Sequence, residues 1–204
     1  MNGIPFRGQD LQDKWIFNLF GYGGIFVDIG AFDGLGLSNT QVLEKYCGWK
    51  GLLVEGDSRK ASLCSKNRES KTVCALLSDE DCPVTFYIVP NDPMLSTINS
   101  KIASDMEYET ETRKCYDAGS FLKSHCTPEE FSYLSIDVEG VDHKVLKSIL
   151  DIGFKPFAIT IEINKLVHTE RKEFEKYLNS MGYIVDQKRV HDWYVLREDL
   201  KTLP

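Results

Sequence analysis

The sequence predicts a doubly wound α/β fold, in which helices cover both faces of a mostly parallel sheet. Short apolar runs alternate with longer amphipathic segments, which is typical of repeated βαβ units. Three of the apolar runs end in carboxylate residues, and open α/β sheets bind ligands at the carboxyl ends of their strands. The chain has 204 residues, 42% of them apolar, which is enough for one core, so we expect residues 1–204 to form a single domain.

Three βα units are predicted in the first part of the chain. Leu11, Trp15 and Leu19 recur on one face of an amphipathic segment that ends in glycines, so a helix is expected there. Gly48 ends the second helix, and Ser58 caps the third. In chain order the predicted elements are a helix over 9–20, a strand over 25–29, a helix over 38–46, a strand over 51–55, a helix over 58–67 and a strand over 71–76.

The second part of the chain adds two parallel strands and a final hairpin. One alternating run follows Pro83 and another begins at Met106, so two added strands are predicted there. Residues 90–105 are rich in turn-forming residues, and no element is predicted for them. In chain order the predicted elements are strands over 84–89 and 106–114, a helix over 120–126, a strand over 131–136, a helix over 141–150, a strand over 157–161, a helix over 168–180 and a hairpin of 182–186 with 193–196.

The first strand runs into an acidic turn that contains glycines, within Phe26–Gly34. A strand followed by such a turn and a helix predicts a nucleotide-binding crevice. A dinucleotide fingerprint would need a glycine where Phe32 stands, because the backbone must approach a pyrophosphate there. Asp28 and Asp33 flank the turn and would repel phosphates. They suit a cationic ligand without phosphates, and S-adenosylmethionine is such a ligand.

Glu55 ends the second strand, 21 residues after Gly34. A carboxylate at this place accepts hydrogen bonds from the two ribose hydroxyls of a nucleoside cofactor. The alternative is an acid that caps a helix or is solvated, which fits Asp57 better because Asp57 directly precedes the helix start at Ser58. The turn and Glu55 together favour S-adenosylmethionine as the cofactor.

Acidic residues also end the two later parallel strands. Asp137 and Glu139 follow the strand over 131–136, and Glu162 closes the next one. The three are expected to face one crevice, because neighbouring parallel strands end at the same edge of a sheet. Asp137 could position the reactive methyl group, accept a proton or hold a divalent metal, and Glu139 and Glu162 could share these tasks.

His143 is the remaining catalytic candidate. It begins the helix that follows these acids, and an imidazole there could act as a general base near neutral pH. The alternative is a surface position on the same helix. The predicted catalytic residues are therefore Asp137, Glu139, Glu162 and His143, and the candidate metal ligands are Asp137, Glu139 and Glu162.

These motifs together resemble those of the FkbM-type methyltransferases, in order and across about residues 9–196. The resemblance implies a class I, Rossmann-like methyltransferase fold with seven strands, the last of them antiparallel. It also implies transfer of a methyl group from S-adenosylmethionine to a hydroxyl of a sugar or another small molecule. The matching stretches are Gln12–Trp15, Phe26–Gly34, Leu37–Thr40, Gly48–Glu55, Tyr133–Gly140 and Glu162–Asn164.

The resemblance also assigns parts of the cofactor site. By similarity Asp28, Gly30 and Asp33 line the methionine end of the cofactor, Glu55 holds the ribose, and residues near Leu77 border the adenine. The predicted cofactor-binding residues are Asp28, Gly30, Ala31, Phe32, Asp33, Ser38, Asn39, Glu55, Gly56, Leu77, Ser78 and Asp137. Family members often have proline or alanine where Gly56 stands.

Other function classes are weighed against this interpretation. The net charge of −7 and the lack of a basic face disfavour a nucleic-acid methyltransferase. The missing glycine and the acidic turn disfavour an oxidoreductase that uses NAD. A catalytically silent interaction module with the same fold stays open as the alternative, because the family includes such relatives. The expected partner is a small molecule whose hydroxyl accepts the methyl group. Residues 90–105 are expected to border this acceptor, but their sequence does not identify it.

Composition bounds the remaining expectations. No apolar stretch is long enough to cross a membrane and no signal peptide is visible, so a cytoplasmic protein is expected. The six cysteines form no Cys-x-x-Cys pair, so a zinc site is not expected and reduced thiols are favoured over disulfides.

Overall fold

A computed structural model describes residues 3–91, 93–104, 107–125 and 127–202. Strands and helices alternate except where β3, β4 and β5 and then β9 and β10 follow one another directly, and two short 3₁₀ helices lie at Pro93–Leu95 and Glu198–Thr202. The strands are β1 (Ile25–Ile29), β2 (Lys50–Glu55), β3 (Lys71–Cys74), β4 (Leu76–Ser78), β5 (Cys82–Ile88), β6 (Glu109–Asp117), β7 (Tyr133–Ile136), β8 (Ala158–Glu162), β9 (Tyr183–Lys188) and β10 (Asp192–Arg197). The helices are α1 (Gln12–Phe20), α2 (Gln41–Cys47), α3 (Ser58–Asn67), α4 (Ser100–Ala103), α5 (Ala118–Ser124), α6 (Asp142–Asp151) and α7 (His168–Ser180).

The main sheet has seven strands in the order β3-β2-β1-β7-β8-β10-β9. Strand β1 pairs in parallel with β2 on one side and with β7 on the other, whereas β10 is antiparallel to both β8 and β9. This order confirms the predicted doubly wound sheet of seven strands with the last strand antiparallel. Since the chain turns back at β1, the crevice between the ends of β1 and β7 is the topological switch point of the sheet.

A second sheet of three strands, in the order β4-β6-β5, stands beside the main one. The prediction of one strand over 71–76 is wrong, because the chain leaves the main sheet at Ala75, whose N–H donates to the carbonyl of Glu55 (3.0 Å). Strand β3 then stays with β2, and β4 pairs with β6. The two added strands predicted between residues 84 and 114 are the hairpin β5–β6, but Met106 lies outside the described residues.

Three of the predicted helices differ by two or more residues at their ends. Helix α2 begins at Gln41 rather than at Ser38, whose hydroxyl instead accepts a hydrogen bond from the N–H of Gln41 (3.1 Å). Helix α1 begins at Gln12, after Leu11 in a left-handed backbone conformation (φ 62°). Helix α5 covers Ala118–Ser124 rather than 120–126, and Cys126 itself lies outside the described residues.

Alternation along the strands divides the core into two layers. One face of the main sheet packs against α5, α6 and α7, and the other packs against α1, α2 and α3. The first layer includes Val27, Ile29, Val54, Leu134, Ile136, Ile161, Leu122, Val145, Ile149, Phe174 and Leu178. The second includes Phe26, Leu53, Tyr133, Ala158, Ile16, Leu43, Cys64 and Trp49.

Among the described residues, no helix has both the length and the apolar character that crossing a membrane requires.

Candidate active site

A cleft of about 360 Å³ opens where β1, β2, β7 and β8 end. Its position at the switch point and its size are those of a ligand site in an open α/β sheet. The sequence-predicted residues Gly30, Phe32, Glu55, Asp137 and Glu162 all line it.

Gly30 allows the turns that follow β1 and β7 to come into contact at the floor of the cleft. Its φ is +91°, and a Cβ atom on this residue would lie 1.7 Å from the carbonyl oxygen of Asp137. The N–H of Gly30 donates to the carbonyl of Val54 (2.9 Å), so the backbone is tied to β2 as well. No side chain fits between the turns that follow β1 and β7.

The turn after Gly30 is organised by its own polar groups. Phe32 has φ 51°, and its N–H donates to Glu55 Oε2 (2.7 Å). Asp33 Oδ1 accepts from the N–H groups of Leu35 (2.9 Å) and Gly36 (2.8 Å). Asp33 therefore closes its own loop and is not among the described residues that line the cleft, although a role at the methionine end was predicted for it.

Glu55 is held in place by two backbone donors. Its Oε1 accepts from the N–H of Asp57 (2.7 Å) and its Oε2 accepts from Phe32. Burial raises the pKa of this carboxyl, while the two backbone hydrogen bonds oppose the shift. A carboxylate oxygen accepts more than one hydrogen bond, so Glu55 can still accept from ligand hydroxyls. Asp57 rather than Ser58 caps α3, because its carboxylate accepts from the N–H of Arg59 (2.8 Å).

Asp28 is buried and belongs to a polar network behind the turn. Its Oδ2 accepts from the hydroxyl of Thr40 (2.6 Å), which in turn accepts from Arg68 (3.1 Å). Arg68 also donates to Glu44 (2.6 Å). Burial raises the pKa of Asp28, and Thr40 and Arg68 oppose the shift. Asp28 thus fixes α2 against β1, and only its remaining polar surface faces the ligand side.

A smaller cavity of about 40 Å³ adjoins the cleft beside Asp28. Ala31, Ser38 and Asn39, all predicted cofactor residues, line it. Asn39 donates to the hydroxyl of Ser135 (3.1 Å), while its buried Oδ1 accepts no hydrogen bond from the described residues. A buried acceptor without a donor suits a ligand N–H group, such as the ammonium of an amino acid.

Three carboxyl groups meet at the floor of the cleft. One oxygen from each of Asp137, Asp142 and Glu162 lies within 4.8 Å of the others. Asp142 was missed in the sequence, although an acid at the start of a helix is a recognisable signal. Its two oxygens accept from the N–H groups of Val138 and Gly140 (both 2.8 Å), and burial raises its pKa to about 6.

Asp137 and Glu162 hold their protons more tightly than ordinary carboxyls. Asp137 is exposed to the cleft, and its pKa is raised well above the usual value by loss of solvation and by the charges of Glu162 and Asp142. Burial raises the pKa of Glu162 to about 8, and Glu139 adds to the shift. Glu162 Oε1 accepts from Asn164 (2.7 Å).

Glu139 differs from the metal ligand that the sequence predicted. Its carboxylate pairs with the ammonium of Lys165 (3.3 Å), and its φ is 57°. The cluster therefore consists of Asp137 and Glu162 with Asp142, whose oxygens already accept two backbone hydrogen bonds. Asp142 thus takes the place in this cluster that the sequence predicted for Glu139, whose charge is paired with a lysine ammonium instead.

His143 lies apart from the acidic floor. Its ring packs edge-on against Phe174 of α7, with ring centroids 6.2 Å apart. Burial and Lys144 lower its pKa. His143 is not among the described residues that line the cleft, whereas His191 is.

The small sheet supplies the apolar wall of the cleft. Leu76 and Leu77 of β4 and Phe86 of β5 line it, as predicted for Leu77. Ser78 donates instead to Asp79 (2.9 Å) and is not among the described lining residues. A Cβ on Gly56 would lie 2.5 Å from Leu76, so the close approach of the small sheet explains the glycine there.

Residues 94–98 form a further wall for which the sequence predicted no element. Thr97 is buried, and it exchanges backbone hydrogen bonds with Tyr87 of β5 (2.8 and 2.9 Å). Its hydroxyl donates to the carbonyl of Glu139 (2.6 Å). One threonine thus ties this wall to both the small sheet and the acidic floor.

Known proteins place this architecture in a family. A sequence model of the methyltransferase FkbM domain matches residues 28–185. No curated protein matches the chain. Among solved structures, the chain is similar to a putative RNA methyltransferase from Pyrococcus horikoshii (11% identity, TM-score 0.46, 91% of this chain and 81% of that one). It is also similar to the methyltransferase domain of METTL16 (14% identity, TM-score 0.48, 95% and 68%).

A third similar structure is TrmK from M. capricolum in complex with S-adenosylhomocysteine (10% identity, TM-score 0.46, 91% and 66%). These structural likenesses are distant and carry no argument about the acceptor. The family match spans most of the chain, and the main sheet has the seven strands with an antiparallel last strand that the family resemblance implied. The chain therefore belongs to the FkbM-domain family of S-adenosylmethionine-dependent methyltransferases.

Proposed function

We propose that this protein binds S-adenosylmethionine in the cleft and transfers its methyl group to a hydroxyl oxygen of a small molecule. The observation that carries the proposal is that one cleft contains both Glu55, which two backbone N–H groups hold in place, and a floor where Gly30 lets two turns meet. The Glu55 carboxylate can therefore accept hydrogen bonds from hydroxyl groups at the place where nucleoside cofactors bind open α/β sheets.

The residues present fit this cofactor along its length. Leu77 and Phe86 offer an apolar surface for the adenine, and Glu55 offers hydrogen-bond acceptors for the ribose hydroxyls. Asn39 offers an unpaired buried oxygen for the α-ammonium. The cofactor carries a sulfonium charge, which suits a cleft whose floor holds Asp137 and Glu162.

The bound cofactor supplies a methyl group on a positively charged sulfur, which an acceptor oxygen displaces in line. The chain holds the two reactants together, and positioning of this kind contributes up to about 7–11 kcal/mol. The acceptor hydroxyl loses its proton during the transfer. Glu162, with a pKa raised to about 8, is better matched to accept that proton near neutral pH than an ordinary carboxylate is.

A small hydroxyl acceptor is favoured over nucleic acid by charge. The chain carries −7, which disfavours association with a polyanion such as nucleic acid. The second candidate is a catalytically silent interaction module. The network that holds Glu55 ready to accept hydrogen bonds favours the enzyme.

Calorimetric titration of the pure protein with S-adenosylmethionine and S-adenosylhomocysteine tests the proposal. We expect micromolar binding of both to wild type, and binding weakened about ten-fold or more in Glu55→Gln, because a charged acceptor is lost. Glu69→Gln is the matched control, since Glu69 is exposed. A folded wild type that binds neither compound would favour the interaction module. Formation of S-adenosylhomocysteine with a panel of hydroxyl compounds would then identify the acceptor.

A further inference from the structure

Two cysteines face each other across the hairpin of the small sheet. Cys82 of β5 lies directly opposite Cys115 of β6. The N–H of Tyr87 donates away from β6, to Thr97, so Tyr87 occupies a non-hydrogen-bonded position of the β5–β6 ladder. Alternation along the regular register then puts Pro83, which has no N–H, in a non-hydrogen-bonded pair and Cys82 in a hydrogen-bonded one.

That position meets the Cα spacing of a disulfide. The Cα atoms of a hydrogen-bonded antiparallel pair are about 5.5 Å apart, and disulfides most often join Cα atoms about 5.5–6 Å apart. Opposite residues of a ladder also project to the same face of a sheet. The Cβ atoms of a hydrogen-bonded pair are up to about 5.5 Å apart, which exceeds the roughly 3.5–4.5 Å of a disulfide, so a bond between Cys82 and Cys115 draws the two strands together locally and is readily reduced.

The surroundings give the two thiols different roles. Cys82 is half-buried, whereas Cys115 is buried among Leu76, Phe86 and Ile88. Burial raises the pKa of Cys115 to about 11, and the nearby Cys82 adds to the shift. Cys82 is thus the thiol that a reagent in solvent reaches first.

We propose that Cys82 and Cys115 form a thiol–disulfide exchange site that takes small-molecule disulfides, such as oxidised glutathione, as oxidant. The Cys82 thiolate attacks one sulfur of the reagent, which forms a mixed disulfide and releases one thiolate that takes up the proton of Cys82. Cys115 then gives up its proton and attacks the Cys82 sulfur, which expels the second reagent thiol. The protein loses two electrons and two protons, and one reagent disulfide becomes two thiols.

The bond would close the base of the hairpin that carries one wall of the cleft. Residues 94–98, which line the cleft, lie between the two cysteines in the chain, and Leu76 and Phe86 of the same apolar cluster also line it. The loop so closed is long, and a cross-link that closes a long loop restricts the unfolded chain most. Oxidation would therefore stabilise the protein and restrict this wall.

Equilibration of the whole protein in a series of oxidised and reduced glutathione buffers tests the site. After acid quenching, intact mass and peptide mapping are measured, together with the Tm of each sample. We expect a loss of two mass units, a peptide that links Cys82 to Cys115, and a rise in Tm of about 5–10 °C. Cys82→Ser should give neither the link nor the rise. Cys74→Ser is the control and should behave as wild type, because Cys74 lies on β3, outside the small sheet.

Glutathione adducts without the linked peptide would overturn the proposal, as would a link that joins other cysteines. If Cys82 and Cys115 become linked but the Tm does not change, the proposal that oxidation stabilises the protein is wrong. None of these readouts depends on S-adenosylmethionine, so failure here and failure of the proposed function are separate results.

Discussion

Gly30 is the residue on which both the fold and the cleft depend. Its backbone joins β1 to β2 through Val54, and its missing side chain admits the carbonyl of Asp137. A positive φ and a close approach both require glycine here. The same position therefore controls stability and the shape of the cofactor site.

Gly30→Ala should lower the free energy of unfolding by about 2–4 kcal/mol, because a Cβ would collide with backbone and the φ is unfavourable for alanine. Urea denaturation measures the loss. Gly36→Ala is the control, since its Cβ would make only ordinary contacts, the nearest at 3.6 Å. An equal, small effect for both variants would contradict this account of Gly30.

Single residues of the site were predictable from the sequence where they end a strand. Glu55, Asp137 and Glu162 follow apolar runs, and the structure brings all three to the cleft. Asp33 looked equivalent, yet its carboxylate is used within its own loop. Sequence spacing gives the position of a side chain along the chain, but the hydrogen bonds that it makes depend on the backbone around it.

At the scale of elements, the parallel strands were predictable and the small sheet was not. The run over 71–76 is continuous in the sequence, but Ala75 bonds to Glu55 and the chain then joins β6. Local pattern does not encode which partner a strand will take. Residues 94–98 show no regular alternation of apolar and polar residues. Tertiary contacts at Thr97, which the sequence does not reveal, hold them in place.

Thr97→Val should loosen the cleft wall formed by residues 94–98, although valine and threonine side chains have nearly the same shape. The substitution removes the hydroxyl that donates to the carbonyl of Glu139 and accepts from the N–H of Asn99, at a cost of about 1–3 kcal/mol. We expect faster amide hydrogen exchange at residues 94–104. Thr112→Val is the matched control, since Thr112 is exposed on β6. Unchanged exchange at the wall would show that other contacts hold it.

At the scale of the whole molecule, charge favours a cationic ligand. The chain carries −7, and the floor of the cleft concentrates protonated carboxyl groups, among them Glu162 with a pKa of about 8. A positively charged ligand stabilises ionised carboxylates, so its binding lowers their pKa and releases protons. S-adenosylmethionine has a sulfonium charge that S-adenosylhomocysteine lacks.

The affinity for S-adenosylmethionine should therefore rise between pH 6 and pH 8, by at most about ten-fold per pH unit for each coupled group, and level off above the pKa of Glu162. S-adenosylhomocysteine should show a weaker dependence, and Glu162→Gln should flatten the difference. Calorimetry in buffers of different ionisation enthalpy counts the protons released. Identical pH profiles for the two compounds would rule out this coupling.

The place of β10 has a consequence for synthesis. Strand β10 follows β8 and β9 in the chain but lies between them in the sheet. Until the ribosome has made residues 192–197, one edge of β8 has no strand to pair with, and β9 has no partner in the sheet. Such edges invite pairing with other chains. Completion of the main sheet is therefore a late event in synthesis, and the edges of β8 and β9 stay open to pairing with other chains until β10 has been made.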